Sequence, residues 1–347
     1  MPGLLRTVRS PDFADVVFHE VAAKSVLNEV PGGSSMPFRW TVNTFRGCSH
    51  ACRYCFARNT HTYLDFDAGD DFDRQVVVKV NVAEVLARQL RAPSWRGEHV
   101  AMGTNTDPYQ RAEGRYALMP GVIEALTDAH TPFSILTKGT VLRRDIALLA
   151  AAAERVPVGV GVSLALVDPV LQRRVEPGTP SPRARLDLVR ALRAAGLPCG
   201  VFVAPVLPHL TDSVAALDEL LGEVAAAGAT GVSVVALHLR PGTREWFLGW
   251  LTRECPDLVE RYLHLYRSGA YVDPAYRRLL AQRWVPLVRR HGLATRTGRA
   301  ATGISGEHEA DFPAGALPVE RRARGNRCAT PEPAQLSLLA TPPNKQT

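Results

Sequence analysis

The chain has 347 residues, enough for one large α/β domain with extensions or for two smaller domains. Its 46% apolar and 22% charged residues are typical of a globular protein, and no apolar run reaches the roughly eighteen residues that a membrane-spanning helix needs. The net charge of +7 permits a nucleic-acid partner without requiring one, since arginine-rich helix faces are commonly just solvated. The N-terminal residues lack the apolar stretch of a secretory signal, so we expect a cytoplasmic protein without membrane partners.

Apolar runs alternate with amphipathic segments through the middle of the chain. The runs predict six strands, at 38–45, 99–103, 132–137, 156–164, 198–206 and 231–239. The segments between and after them predict helices at 81–92, 120–130, 143–155, 181–196 and 212–228. Because the apolar runs are continuous, the strands should be parallel and buried on both faces. Six βα units in a row predict an α/β fold with a partial (β/α)6 barrel of the TIM type, and a doubly wound open sheet is the alternative.

The regions flanking these units differ in composition from the units themselves. We therefore divide the chain into an N-terminal extension at 1–35, a core barrel at 36–240, a helical C-terminal extension at 241–291 and a tail at 292–347. The tail is basic, rich in Gly, Ala, Arg and Pro, and has no periodic apolar face. We expect it to be loosely ordered, in part disordered.

Three cysteines follow the first strand closely, in "RGCSHACRYCFAR". Cys48, Cys52 and Cys55 have the spacing C-x3-C-x2-C, which in a reducing compartment indicates metal binding or catalysis before a disulfide. Three thiolates can hold three corners of an iron–sulfur cubane and leave the fourth iron open. Zinc bound with the help of His50 is the alternative, although His50 lies only two residues from both Cys48 and Cys52. In that case the chain would be a zinc-stabilised, non-catalytic nucleic-acid-binding protein.

The cysteine motif with Tyr54 as its aromatic residue resembles the signature of the radical S-adenosylmethionine (radical SAM) superfamily. With "TNTDPYQ" and "EPGTPSPRARL" it resembles the branch of spore photoproduct lyase and DNA repair photolyase-like proteins, over about residues 38–240. The resemblance implies a radical SAM enzyme with a [4Fe–4S] cluster on the three cysteines and S-adenosylmethionine on the open iron. Reductive cleavage of S-adenosylmethionine would then give a 5′-deoxyadenosyl radical. That radical would abstract a hydrogen atom from a substrate, for which nucleic acid is one candidate class. A reducing electron donor such as flavodoxin or ferredoxin is implied as a partner.

Further cofactor contacts follow from the same resemblance. Gly103, Thr104, Asn105 and Asp107 occupy the place of a Gly-Gly-Glu element that contacts the amino group of S-adenosylmethionine, although the second glycine and the glutamate are absent. A simple Asx-type turn is the alternative for this stretch. Ser163 matches a serine that contacts the ribose.

Polar residues near the ends of the later strands are weaker candidates. The resemblance implies that Arg185 pairs with the carboxylate of S-adenosylmethionine, with neighbouring Arg183 as the alternative. Lys138, His209 and Asp212 follow strands at the same predicted face and are candidate substrate contacts. Asp212 is equally a good N-cap for the helix after it.

The remaining cysteines are scattered. Cys199 begins the fifth predicted strand and should be a core thiol, and Cys255 lies in the helical extension. Enzymes like spore photoproduct lyase can use a cysteine as hydrogen donor. Cys328 would serve only if the tail folds over the barrel mouth.

Overall fold

The computed structural model describes residues 1–13, 15–30, 36–293 and 312–318. In these ranges eleven strands form a seven-stranded and a four-stranded sheet. The strands are β1 Leu4–Arg9, β2 Val17–Val21, β3 Leu27–Glu29, β4 Trp40–Val42, β5 Phe45–Arg46, β6 Gln75–Lys79, β7 Val100–Met102, β8 Phe133–Thr137, β9 Val158–Ser163, β10 Gly200–Val206 and β11 Gly231–Ala236.

The seven-stranded sheet has the order β11-β10-β9-β8-β7-β4-β3. All neighbours from β4 to β11 are parallel, and only the edge strand β3 pairs antiparallel, with β4. The six parallel strands lie at the six predicted positions and follow chain order across the sheet. A doubly wound sheet would reverse that order at one point. The partial (β/α)6 barrel is therefore confirmed, and it is open in the described residues.

Eleven α-helices lie in the described ranges and end within a few residues of the predicted positions where both exist. They are α1 Asp70–Arg74, α2 Val82–Leu90, α3 Arg111–Tyr116, α4 Met119–Asp128, α5 Ile146–Arg155, α6 Pro169–Val175, α7 Pro182–Ala194, α8 Val214–Ala226, α9 Thr243–Glu254, α10 Val259–Leu265 and α11 Pro274–Arg290. None of these helices is long and apolar enough to cross a membrane. Helix α8 begins at Ser213, whose hydroxyl accepts from Ala216 N at 3.1 Å, so the N-cap role expected of Asp212 is wrong.

The N-terminal extension supplies two strands of the second sheet, whose order is β1-β2-β6-β5. One face of this sheet is apolar. Phe18, Phe45, Val76 and Val78 form a buried cluster there with Ala112 of α3. The sheet thus fixes the segment that leads from β5 into the cysteines.

Residues 312–318 of the predicted tail pack against the inner, concave face of the half-barrel. Phe312 makes edge-to-face contacts with Phe38 and Phe202, at ring-centroid distances of 5.8 and 5.3 Å. The carbonyl of Gly315 accepts from Val160 N at 2.9 Å. This short segment is ordered by apolar burial, and the other residues predicted as tail, apart from 292 and 293, lie outside the described ones.

Candidate active site

The cysteine loop, residues 47–58, connects β5 to a short 3-10 helix at Arg58–Leu64. It is a series of tight turns in which the carbonyls of Cys48, Cys52 and Cys55 accept from the backbone N–H three residues later, at 3.2 to 3.4 Å. Gly47 enters the loop with a φ of +80°, where a Cβ would lie 2.7 Å from the Gln75 carbonyl oxygen. A glycine is therefore required at this point.

The three thiols lie near one another and are shielded from water. Cys48 and Cys52 are buried and Cys55 is half-buried. Burial raises the pKa of Cys52 well above its usual range and that of Cys55 to about 11, although Lys138 and Arg58 act in the opposite direction. Ionised thiols in this setting need a bound cation, so the donor set fits iron.

The same thiols are less suited to a single zinc ion. Within the described residues no three His, Cys, Asp or Glu side chains are gathered around a point where one metal ion could bind. One zinc ion requires all its sulfur ligands at about 2.3 Å, whereas a cubane takes each thiolate on a different iron and so accepts wider spacing.

Arg58 stabilises the cysteine loop through hydrogen bonds to its backbone, a role that the sequence did not predict. Its guanidinium is fully buried, donates to the Cys52 carbonyl at 2.9 and 3.2 Å and forms a bidentate pair with Asp73 at 2.8 and 3.0 Å. The ring of Trp246 lies 4.7 Å from it. An arginine three residues after the third cysteine was the only available signal.

Two further contacts fix the loop to the barrel and to the helical extension. Gln110 accepts from Ser49 N at 2.9 Å and donates to the Gly47 carbonyl at 3.0 Å. Thr243, the first residue of α9, donates its hydroxyl to the Cys55 carbonyl at 2.9 Å. The thiols are thus positioned from several sides.

His50 faces Asp107. The His50 Nδ1 lies 3.3 Å from an Asp107 oxygen, so the histidine considered as a zinc ligand is used in an ion pair. Burial disfavours its charged form, yet Asp107 and Cys48 together raise the pKa of His50 to about 10. Asp107 also accepts from the Thr137 hydroxyl and from Lys138 N, both at 2.6 Å. These partners outweigh burial and hold the pKa of Asp107 at about 2.

The segment after β7 contains the other three residues expected to contact the amino group of S-adenosylmethionine, Gly103, Thr104 and Asn105. Gly103 has a φ of +86°, and a Cβ there would lie 1.8 Å from the Leu136 carbonyl oxygen of the neighbouring strand. Thr104 and Asn105 follow it, are half-buried, and their side chains make no hydrogen bond within the described part of the chain. Of the four residues expected here, Asp107 is already saturated by protein donors, while Thr104 and Asn105 have free polar groups.

Arg185 and Glu176 form a fully buried ion pair, with 2.6 Å between nitrogen and oxygen. Arg185 donates in addition to the Ser163 carbonyl at 3.1 Å, and Glu176 accepts from the Tyr54 hydroxyl. Burial and the Glu176 carboxylate raise the pKa of Tyr54 well above its usual range. Arg185 is therefore a link between α7, β9 and the cysteine loop, whereas Arg183 is exposed.

Lys138, directly after β8, is a cation beside the cysteine loop. Its Nζ lies 5.8 Å from the centroid of the Tyr54 ring and makes no hydrogen bond or ion pair within the described residues. Burial disfavours its charge, but Cys52 and Glu176 act more strongly in combination and raise the pKa of Lys138. The Ser163 hydroxyl, at the end of β9, likewise has no protein partner in that part of the chain.

The weaker candidates have structural partners or lie elsewhere. Asp212 accepts from the Tyr276 hydroxyl at 2.6 Å and from Arg283 at 2.9 Å, and so attaches α11 to the barrel. His209 lies 6.4 Å from the Tyr276 ring. Cys199 is buried at the amino end of β10, and burial raises its pKa to about 12. Cys255 ends α9, and Cys328 lies outside the described residues.

Comparison with protein-family models identifies the superfamily of the chain. The model of the radical SAM superfamily matches residues 42–221, which is more than half of the chain and includes the cysteine loop and the Glu176–Arg185 pair. The chain belongs to the radical SAM superfamily. It is accordingly a radical SAM enzyme, as the cysteine motif implied.

Relatives in sequence come from bacteria and archaea. An uncharacterized protein of Mycobacterium tuberculosis H37Rv is 64% identical over 292 residues, which cover 84% of this chain and 86% of the relative. An uncharacterized protein of Methanocaldococcus jannaschii is 25% identical over 206 residues, covering 59% of this chain and 71% of that one. The match to the Mycobacterium tuberculosis protein shows a shared family, and the printed names of both relatives specify no substrate.

Solved structures extend the likeness to a characterised enzyme. Spore photoproduct lyase complexed with dinucleoside spore photoproduct superimposes with a TM-score of 0.58 and 16% identity, covering 79% of each chain. At this identity the match shows a common fold.

Proposed function

We propose that this radical SAM enzyme carries a [4Fe–4S] cluster on Cys48, Cys52 and Cys55 and uses it with S-adenosylmethionine to initiate radical chemistry. When bound, the cluster supplies one electron that cleaves S-adenosylmethionine to methionine and a 5′-deoxyadenosyl radical, which then takes a hydrogen atom from the substrate. The observation that carries the proposal is the placement of three shielded thiols beside a lysine and a serine hydroxyl that have no partner in the described part of the chain.

Lys138 is the residue that we assign to the carboxylate of S-adenosylmethionine. The guanidinium of the expected residue, Arg185, is fully buried against Glu176 and the Ser163 carbonyl, and turning it toward the cofactor would break that ion pair and that hydrogen bond. Breaking such a pair leaves an uncompensated charge and is strongly unfavourable. Lys138 needs no rearrangement, since its ammonium has no partner among the residues that the structure describes and lies beside Tyr54 in the cysteine loop.

The remaining contacts are assigned by the same criterion of free polar groups. Ser163 presents an unpartnered hydroxyl to the ribose from the end of β9. Thr104 and Asn105 offer oxygen acceptors to the amino group, and Gly103 lets the backbone approach closely. Asp107 orients His50 and the Lys138 backbone. Tyr54 and Arg185 hold the cysteine loop against Glu176.

The first experiment tests the cluster and the cleavage together. The full chain is reconstituted with iron and sulfide without oxygen, reduced with dithionite, and assayed for 5′-deoxyadenosine. We expect product and broad absorbance near about 400 nm from the wild type, and neither from Cys52→Ala. Cys199→Ala, which changes a buried thiol remote from the loop, is the control and should behave as the wild type. Bound zinc without any cluster would contradict the proposal and favour a structural metal site.

A second experiment tests the assignment of Lys138. Lys138→Met should weaken S-adenosylmethionine binding by about ten- to a hundredfold, because a charge-assisted hydrogen bond is lost. Calorimetric titration of the reconstituted enzyme measures the change. Arg183→Gln removes an exposed arginine of α7 and should leave the affinity unaltered. Equal affinities of Lys138→Met and the wild type would return the carboxylate contact to another residue.

The proposal also covers the partners and the compartment. A one-electron donor such as flavodoxin or ferredoxin would reduce the cluster in a cytoplasmic setting. Nucleic acid is the substrate class that we favour, supported by the chain's charge of +7 and by the shared fold with an enzyme solved in complex with a dinucleoside photoproduct. The purified enzyme with a reducing system and candidate oligonucleotides tests this by the amount of deoxyadenosine formed over background.

A further inference from the structure

A buried lysine beside the strand that leads into the cysteine loop has no partner among the described residues. Lys79 ends β6 and lies opposite Thr44, since its N–H donates to the Thr44 carbonyl at 3.1 Å and Phe45 pairs with Val78 in the next position. Directly opposed residues of an antiparallel pair project from the same face. Lys79 is 8% exposed and Thr44 is 2% exposed.

A second cation shares this face. Arg46 lies two residues after Thr44 in the same strand segment, so its side chain leaves the sheet on the same side. Its guanidinium is exposed and makes no hydrogen bond or ion pair within the described residues. The Arg46 charge adds to the effect of burial and lowers the pKa of Lys79 to about 8.

Neither the lysine nor the hydroxyl next to it is satisfied by the protein. Within the described residues Lys79 Nζ has no hydrogen bond and no carboxylate within ion-pair distance, and Thr44 Oγ1 is buried without a partner. Burying an unpaired ammonium close to a guanidinium costs free energy that an apolar residue would avoid. The opposite face of the same strands is apolar and packed, with Phe45 and Val78 in it. The unfavourable arrangement is confined to the face that Thr44 and Lys79 share.

An anion between the two cations would resolve all three features. The ammonium would neutralise charge and donate, the threonine hydroxyl would donate, and the guanidinium can bind two oxygens of one planar or tetrahedral group. Two cations together match a phosphate better than a single carboxylate. Thr44 lies four residues before Cys48 and two residues beyond the carboxyl end of β4, so the anion would be near the site of radical formation.

We propose that Lys79, Thr44 and Arg46 bind a phosphate group of the substrate. The assignment rests on the proposed function, because it takes the cysteine loop as the place of the chemistry. The phosphate is either a phosphodiester of a nucleic acid or the phosphate of a small metabolite. Both use the same three donors.

Two probes separate these sources. The anaerobically reconstituted full chain is titrated with a fluorescein-labelled single-stranded oligothymidylate of about twelve nucleotides and, by calorimetry, with inorganic phosphate. We expect Lys79→Met to weaken binding at least about tenfold and Thr44→Val to weaken it several-fold. Lys24→Met, at an exposed lysine before β3, is the control for a general loss of charge and should bind as the wild type does. Oligonucleotide binding that Lys79→Met weakens supports a nucleic-acid substrate. If only inorganic phosphate binds, and Lys79→Met weakens that binding, the result supports a small phosphorylated substrate.

Folding is checked in the same samples. Lys79→Met keeps an unbranched side chain one atom shorter than lysine and removes an unpaired buried charge, so its thermal midpoint should equal or exceed that of the wild type. Equal binding by Lys79→Met and the wild type, or no binding of either probe to the wild type, would overturn the inference. Deoxyadenosine formation by the wild type is measured separately. An enzyme that forms it without binding the probes refutes the phosphate site alone, and one that binds the probes without forming it refutes the proposed function alone.

Discussion

The two ends of the half-barrel are built on opposite principles. Near the carboxyl ends of the strands, charged side chains are withdrawn from water. Glu176 and Arg185 pair with each other there, and Lys138 has no ion-pair partner among the described residues. At the amino ends, the short segment 312–318 fills the space between the strands with apolar side chains. The carboxyl end, which we call the open end, contains buried charged groups that lower stability and serve the chemistry. The amino end, which we call the closed end, contributes the apolar packing that stabilises the fold.

The closed end depends on small residues in the strands. At Gly159 of β9 a Cβ would lie 2.5 Å from the Leu317 carbonyl carbon, and at Gly200 of β10 a Cβ would lie 2.8 Å from Pro313. The Thr230 hydroxyl donates to the Ala314 carbonyl at 2.6 Å. Strand glycines with an inserted segment therefore replace the large inward side chains that would otherwise fill a barrel.

Breaking the ion pair at the open end should have the largest effect on stability. Glu176→Gln leaves the fully buried Arg185 guanidinium without its counter-charge, which we expect to cost about 3–5 kcal/mol of unfolding free energy. Urea denaturation of the cluster-free variant and wild type measures this difference.

A double variant serves as the control for that prediction. Glu176→Gln with Arg185→Met removes both charges, and replacing a buried pair by apolar groups is often close to neutral. It should recover much of the lost stability. Equal losses for the single and double variants would mean that the pair stabilises the fold by packing alone.

The closed end is tested by removing its largest apolar side chain. Phe312→Ala should cost about 3 kcal/mol, since the ring is buried between Phe38 and Phe202. Gly159→Ala should cost about 1–3 kcal/mol by displacing Leu317. If both act through the docked segment, the combined variant loses less than the sum of the two, as urea denaturation would show. Strict additivity would place the effect of Gly159→Ala within the strand itself.

Much of the fold followed from patterns that are local in sequence. The six parallel strands are continuous apolar runs, so they were predicted at 38–45 and at five later positions and were found there. The second sheet was missed because β5 has two residues and β6 pairs with a strand more than fifty residues away. Residues 312–318 were also missed. Their order comes from a groove of strand glycines that no periodicity in the segment itself reveals.

The candidate site was predictable where a motif names the residue. The three cysteines were predicted from their spacing. In the structure they are buried or half-buried thiols of one loop, and their role as ligands stays a prediction. The contacts expected of Arg185 and Asp107 stay predictions. In the structure both Asp107 oxygens accept from protein donors, and Arg185 pairs with Glu176 while its Nε has no partner among the described residues. Which arginine or lysine is free depends on which carboxylate is near, and that is a property of the tertiary structure.

The smallest effect is expected from His238, which lies just beyond β11 at the open end. Burial, aided by Arg240 and Arg277, lowers the pKa of His238 to about 4, below the usual value of about 6.5. The folded state therefore keeps this histidine neutral, and the unfolded state binds a proton first as the pH falls. The contribution to stability is intact above pH 6.5 and is lost progressively down to pH 4, by about 2 kcal/mol at pH 5. In His238→Phe the ring contact with Tyr271, at 4.6 Å in the wild type, can persist without a titrating group. Denaturation at pH 7.5 and pH 5 should show a smaller loss for this variant than for the wild type. An identical loss in the two proteins would assign the acid sensitivity of the open end to other buried groups.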